Sequence, residues 1–381
     1  MTDNDPYGSF DFIFLGAGCA SLSLLMRMIE SGKFSDKKIL VIDRQIKNSN
    51  DRTWCFWEKE KGYFDQLVFK TWTDLLFIAD SEQIKLDVGS YVYKMIRGID
   101  FYEHCFSKIS TQKNITVCYG NIEFSNDQRH IIFNGKLLHT STGIVFNSIV
   151  SSTRDTKYHH LLQHFKGWII EAGNAFDPGH ATLMDFSVDQ QNGTTFIYVL
   201  PLSPSRALVE YTLFSPSLLT DTDYDNALKI YIENNLKIKN YSISATEFGV
   251  IPMTNQLFPF YSNGMYHIGT AGGNTKPSTG YTFRFIQKQS CNILKDLIDG
   301  KRPTQKALSK KFNFYDSTFL NVLATNKLPG KQIFTTLFKK NKASEIFLFL
   351  DNESTFTTDI SIINSLPTGK FLKAGLQEML R

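Results

Sequence analysis

The chain has 381 residues and 42% hydrophobic content, enough for one large two-lobed domain or two modest ones around a sizeable core. A formal net charge of only +4 excludes the basic footprint of a nucleic-acid-binding protein. No uncharged apolar run reaches the ~18 residues of a membrane span. The polar, acidic first ten residues contain no signal-peptide core, so a soluble or peripheral cytoplasmic protein is expected. Cys19, Cys55, Cys105, Cys118 and Cys291 are far apart and lack metal-ligand or redox spacing, which predicts no metal site. The 32 phenylalanines and 16 tyrosines supply aromatic surface suited to a large apolar ligand.

Residues 11–30 predict a strand, a tight turn and a helix. Asp11 to Leu15 is a short apolar strand, Gly16-Ala17-Gly18-Cys19-Ala20-Ser21 is the turn, and Leu22, Leu25, Met26 and Ile29 form one helical face. Ser31-Gly32 ends the helix, and Lys38 to Asp43 is a second strand. This is the order of a dinucleotide-binding βαβ unit, in which glycines let the backbone approach a pyrophosphate at a helix N-terminus. Ser21 stands at the third glycine position, where only helix–strand packing is at stake. Asp43, 27 positions after Gly16, is placed to meet a ribose hydroxyl, with Arg44 beside it. The segment Asn50 to Trp57 then sets Arg52, Trp54 and Trp57 next to the expected cofactor.

From about 70 to 150 the pattern predicts short strands and turns, with a helix near Asp100 to Ser110 and a strand at 142–148 returning to the nucleotide sheet. Residues 166–255 predict antiparallel strands at 167–170, 181–186, 195–200 and 206–212, then a helix near Asp223 to Asn235. A second glycine loop, Gly269-Thr270-Ala271-Gly272-Gly273, leads through Thr279-Gly280 into a predicted helix. Two such loops about 250 residues apart imply a long cofactor such as FAD, held at both ends. The remainder reads as helical. The expected fold class is α/β: a Rossmann-like FAD-binding domain (1–80, 142–165, 255–300), an inserted antiparallel-sheet substrate lobe (81–141, 166–254) and a helical C-terminal region (301–381).

Gly16-Ala17-Gly18, the Asn50 to Trp57 block, Phe165-Lys166-Gly167-Trp168, Met184-Asp185-Phe186, Gly249 to Thr254 and Gly269 to Tyr281 together resemble the flavoprotein-type lycopene cyclases, over about Asp11 to Glu353. The resemblance implies a fold similar to the flavin hydroxylases. It also implies FAD used in its reduced form, NAD(P)H as direct or indirect reductant, and closure of the linear ends of lycopene and related carotenoids into β-ionone rings without net redox change. Two departures are visible. The acidic motif of that family often carries two adjacent carboxylates, whereas Leu208-Val209-Glu210-Tyr211-Thr212 keeps only the first, leaving the second role to Tyr211 or to another acid. Gly269-Thr270 stands where related hydroxylases have Gly-Asp, which favours the cyclase branch.

Such a cyclisation begins by protonating an alkene, so it requires a neutral acid in a dry pocket. Glu210, on an apolar strand, is the first candidate, and Glu247 the second. The sequence is equally compatible with Glu210 lying half-exposed and paired to Arg206. Trp54 and Trp57 offer cation–π faces and, with Tyr211, are the expected substrate contacts, whereas Phe56 reads as core. Arg52 fits a flavin diphosphate or ring, or an ion pair with Asp51 or Asp43. His267 reads as a satisfied core histidine. Residues 301–345 hold ten Lys/Arg against Asp316 and Glu345, interleaved with Phe312, Phe334 and Phe338, and predict a peripheral membrane face centred on Lys339-Lys340. Rival readings are an FAD-dependent oxidoreductase acting on an isoprenoid and a flavin-bound carotenoid carrier. Oligomeric state is not legible.

Overall fold

The computed structural model describes residues 9–125, 130–138, 140, 143–150, 154–305 and 309–381. Thr142 and Lys306, which enter the expectations above, lie outside the described residues.

The apolar runs Phe12–Leu15 and Ile39–Asp43 are buried along their whole length, as parallel strands covered on both faces must be. They form the centre of a six-stranded sheet in the order Tyr261–Ser262, Met265–His267, Ile144–Asn147, Phe12–Leu15, Ile39–Asp43, Ile115–Tyr119. All neighbouring pairs in it are parallel except the short outer hairpin. Helices Cys19–Ser31 and Phe283–Ile298 pack together over one face, burying Leu22, Met26, Ile286 and Ile293. A small antiparallel sheet of Ile122–Phe124, Ile131–Phe133 and Lys136–Leu138 lays Ile131, Phe133 and Leu138 on the other face.

The second layer is a seven-stranded sheet in the order Ser242–Thr254, His160–Glu171, Arg206–Ser215, Thr194–Ser203, His180–Asp185, Asp74–Ala79, Glu82–Lys85. Helix Asp221–Asn234 covers one face through Tyr224, Leu228 and Tyr231. The other face looks onto the nucleotide-type unit at one end and onto helices Lys310–Ala324, Gly330–Lys340 and Ala343–Leu350 at the other. A three-stranded sheet built from Thr53–Glu58, Val92–Arg97 and Lys70–Trp72 bridges the two layers.

The sheets divide the chain differently from the expected boundaries. Asp74–Ala79 belongs to the seven-stranded sheet, as does His160–Phe165, whereas Ile115–Tyr119 is the edge of the parallel sheet. An apolar run predicts a strand, but its sheet is chosen by pairing partners distant in sequence, which local pattern does not report. The predicted helix near Thr279 begins at Phe283. The apolar side of the basic and aromatic C-terminal segment packs into the core, where Phe312, Phe334 and Phe338 are buried. Lys339 pairs with Glu82, Lys331 with Asp80 at 2.9 Å, and Lys311 with Asp359 at 2.6 Å, while Lys339 and Lys340 stay exposed. Among the described residues, no helix is long and apolar enough to cross a membrane.

Candidate active site

Strand alternation and register assemble the site on the inner face of the seven-stranded sheet. Tyr198 pairs with Glu210, Glu210 with Gly167, and Gly167 with Glu247, so four adjacent strands contribute one row of residues. Directly opposed residues share a face. The glycine in the row leaves a gap between the two acids: a Cβ at Gly167 would meet Leu208 Cδ1 at 2.9 Å and Glu247 Cγ at 3.0 Å. Glu210 and Glu247 make hydrogen-bonding contact there. Thr53 Oγ1 donates to Glu247 Oε2 at 2.7 Å and Thr212 Oγ1 to Glu210 Oε1 at 2.8 Å. Glu247 is buried, and the residual accessible surface of Glu210 lines a cavity of about 570 Å³. Burial, and secondarily the neighbouring Glu247 charge, pushes the Glu210 carboxyl well above the usual carboxylate range. Burial also raises Glu247, opposed by the hydrogen bonds from Thr53 and Glu210. Both carboxyls are thus disfavoured as anions, Glu210 the more strongly, and the contact lets the two share a proton.

The same cavity reaches the glycine turns. Helix Cys19–Ser31 has no side-chain cap at Gly18, where a Cβ would meet nothing within 4 Å. Its first N–H groups therefore face open space at the positive end of the helix dipole. Gly269, at φ +61°, packs so closely that a Cβ would come within 2.7 Å of Ala20 Cβ, which joins the second glycine turn to that helix end. Gln163 Oε1 and Thr279 Oγ1 are buried, line the cavity and lack partners. A bound polar group satisfies such atoms.

Among the sequence-predicted residues, Gly18, Arg52, Trp54, Glu210, Glu247, Gly269, Thr270, Thr279 and Gly280 all line this cavity. Arg52 does so while ion-paired to Asp51 at 3.4 Å. Gly16, Ala17 and Ser21 stand behind the turn: Ser21 Oγ donates to Ser148 Oγ at 3.2 Å, and Asp43 Oδ2 accepts from the Ala17 N–H at 2.6 Å. Arg44 is exposed at the strand end, and Gly272 serves the turn, where a Cβ would strike the His267 carbonyl at 2.1 Å. Arg206 turns to Glu171 at 3.9 Å and leaves Glu210 alone. His267 is held by Asn147 and Ser262, and Phe56 stacks on Phe283 with ring centroids 4.4 Å apart.

Tyr211 is a correction. It follows Glu210 on a strand, so it points to the opposite face, where it packs beside Trp168, Ile197 and Tyr224 under the helix. It touches neither the acid pair nor the cavity. The carboxyl that does stand beside Glu210 is that of Glu247, from another strand. Trp57 lies outside the acid chamber, in an adjoining cavity, with its Nε1 donating to Asp351 Oδ2 at 2.9 Å.

Residues absent from the sequence expectations complete the chamber: Thr53, Cys55, Tyr93, Tyr198, Gln163 and Tyr281. Thr53, Cys55 and Trp57 alternate along one strand, a period-2 signal present in Thr53-Trp54-Cys55-Phe56-Trp57. Tyr281 makes side-chain hydrogen bonds with Tyr198 and Tyr93, and burial pushes its phenol up to about 12, so the cluster is neutral.

The architecture is shared with solved flavoproteins. A flavoprotein/dehydrogenase from Cytophaga hutchinsonii superposes with TM-score 0.61 at 12% identity, covering 97% of this chain and 99% of the other. A flavin-dependent brominase gives 0.58 at 12% identity over 97% and 98%. A geranylgeranyl bacteriochlorophyll reductase-like protein from Thermoplasma acidophilum gives 0.54 at 13% identity over 96% and 95%. The fold class is thus α/β of the flavin hydroxylase type. The family model described as lycopene cyclase protein matches residues 11–374, and the chain belongs to that family. Lycopene beta-cyclase of Pantoea ananas is 24% identical over 283 residues, 72% of this chain and 71% of that one. Lycopene beta-cyclase of a Paracoccus species is 27% identical over 174 residues, 43% and 44% of the two chains.

Proposed function

We propose that the chain cyclises the linear ends of lycopene to β-ionone rings, giving γ-carotene and then β-carotene, as an isomerase that uses reduced FAD. The observation that carries this reading is the Glu210–Glu247 pair on the wall of a cavity that also reaches the uncapped helix N-terminus at Gly18.

The order of events follows from the pair. Glu210 gives its proton to the terminal double bond of the substrate, leaving a tertiary cation. The next double bond attacks that cation, closing the six-membered ring and moving the positive charge to a ring carbon. Glu247, held by Thr53, takes a proton from the adjacent ring carbon, and the electron pair of that C–H bond becomes the ring alkene. Hydrogen bonding between the two carboxyls then reprotonates Glu210, and that proton exchanges with solvent before the next turnover. One proton enters and one leaves, so mass and redox state are unchanged. While the cation exists both carboxyls are ionised, and their negative charge in a low-dielectric pocket favours it.

The residues present fit FAD. The uncapped helix end at Gly18, with Gly16, Ala17 and Ser21 shaping the turn, would hold its pyrophosphate, and Arg52 would neutralise it. Asp43 and Arg44, at the end of the neighbouring strand, would be the residues nearest its adenosine part. Gly269, Thr270, Gly272, Thr279 and Gly280 would shape the isoalloxazine end, where the unpartnered Thr279 Oγ1 and Gln163 Oε1 offer polar contacts. When bound and reduced, by NAD(P)H or a donor that relays its electrons, FAD supplies an electron-rich ring that lowers the energy of a nearby cation.

Peripheral contact with a bilayer belongs to the last two helices, Phe356–Ser365 and Thr368–Met379. There Phe356, Leu372, Leu376, Met379 and Leu380 are exposed, with Lys370, Lys373 and Arg381 alongside to meet anionic headgroups. The test of function is product analysis in lycopene-accumulating cells. Expression of the chain yields β-carotene and the Glu210→Gln chain does not; an oxygenated or reduced carotenoid would instead mark the oxidoreductase alternative.

A further inference from the structure

The acid chamber is not the only large cavity, and the second is chemically unlike it. A space of about 470 Å³ lies between the seven-stranded sheet and the C-terminal helices. Its wall is mainly carbon, contributed by residues such as Leu183, Phe196, Phe334, Leu337 and Phe347. The two cavities have Tyr198, Thr279 and Tyr281 as common wall. At its other end the apolar cavity is lined by Ile360, Leu372, Leu376 and Met379, which are also 39%, 62%, 60% and 71% exposed. The space therefore runs from the acid chamber to an apolar patch on the surface.

We propose that this cavity binds the unreacting length of the substrate, a long linear hydrocarbon, while one acyclic end passes Tyr198 and Tyr281 to reach Glu210. This rests on the cyclase reading and adds to it a site, an orientation and a throat. A hydrocarbon chain offers no hydrogen bonds, so a wall that is mainly carbon suits it, with the unpartnered Thr279 Oγ1 of the common wall left to the cofactor side. The phenols of the throat, Tyr281 with Tyr198 and Tyr93, are held neutral by burial. Their neutral rings, and Trp57 with its ring 4.3 Å from Tyr281, present π faces along the path to the acid. Such faces attract a cation without offering it a base.

A consequence is that one molecule presents one end at a time. The single acid pair sits at the inner end of the apolar cavity, so the second ring requires release of the one-ringed product and its return with the other end leading.

The proposal is tested by filling the cavity from inside with Leu183→Trp and near its mouth with Leu376→Trp, in detergent solution with FAD bound. Two substrates are compared: lycopene, and a truncated acyclic isoprenoid that ends in the same trisubstituted alkene. The ratio of kcat/KM for lycopene to that for the short analogue is expected to fall by about tenfold or more, a change of about 1.4 kcal/mol. Quenching of tryptophan fluorescence by a linear polyene should weaken in parallel in the Leu376→Trp protein. A ratio unchanged in both variants overturns the proposal, as does an equal loss on both substrates, which would make the cavity wall merely structural. If the wild-type chain cyclises neither substrate yet quenches with the polyene in a variant-sensitive way, the cyclase reading fails while the hydrocarbon site stands.

Discussion

Gly167→Ala probes the acid pair without touching either carboxylate. The added methyl would lie 2.9 Å from Leu208 Cδ1, 3.0 Å from Glu247 Cγ and 3.3 Å from Glu247 Oε1. Leu208 can rotate its terminal methyl aside, but Glu247 is tied to Thr53 and must shift its carboxyl away from Glu210. Overpacking of this kind costs about 1–3 kcal/mol of stability, which a large two-layer core tolerates. A displacement approaching 1 Å at a reacting group lowers turnover by about a hundredfold. The assay is anaerobic conversion of lycopene by FAD-loaded protein across a pH series. With Glu247 drawn away, Glu210 loses repulsion that raises its pKa, so the alkaline fall in activity moves to lower pH. Wild-type turnover with an unmoved pH profile would refute the claim that the two carboxyls act as a unit.

Four further outcomes rest on the same geometry. Glu210→Gln lowers turnover by about 10²- to 10⁴-fold, the usual share of a general acid, and is measured with FAD retention as the folding control. The same variant changes the pH dependence of stability in a definite sense. The raised Glu210 pKa means that the unfolded chain binds fewer protons between its own carboxyl pKa and the folded one, so wild-type stability falls as pH rises through that window. Glu210→Gln removes that fall, which thermal melts at a series of pH values detect. Gly269→Ala forces a Cβ to within 2.7 Å of Ala20 and separates the two glycine turns, so flavin retention after gel filtration drops while the substrate sheet stays folded. Tyr211→Phe, on the far face of the sheet, leaves turnover within about twofold, and a loss of a hundredfold would return Tyr211 to the site.

Elements were legible in the sequence wherever their signal is local. The run Phe12–Leu15, the glycines of the turn and the apolar helical face are contiguous, so the nucleotide-type unit could be read directly. The long strands around Trp168, Tyr198 and Glu210 were legible for the same reason. The site was legible only in its parts. That Glu247 meets Glu210 depends on the register of three strands with Gly167 between them, and register is set by pairing across the sheet. The face of Tyr211 was within reach of sequence reasoning, since neighbours on a strand point apart. The search for a substitute carboxylate beside Glu210 concealed it, because the substitute comes from a strand more than thirty residues away. The C-terminal segment was legible only in part, again for a physical reason. Lysines interleaved with phenylalanines have the same pattern whether the apolar face meets lipid or a sheet, and here Asp80, Glu82 and Asp359 await the lysines.

The central claim is that an uncharged carboxyl, Glu210, begins an isomerisation whose proton balance is closed by Glu247. The most direct measurement is the mass of the carotenoid formed when lycopene is incubated without oxygen, with the protein and chemically reduced FAD but no nicotinamide. The account predicts a cyclic product of unchanged mass in ordinary water, heavier by one deuterium per ring in heavy water, and no product from the Glu210→Gln protein. A product that gains two hydrogens or an oxygen, or undiminished cyclisation by Glu210→Gln, would contradict it.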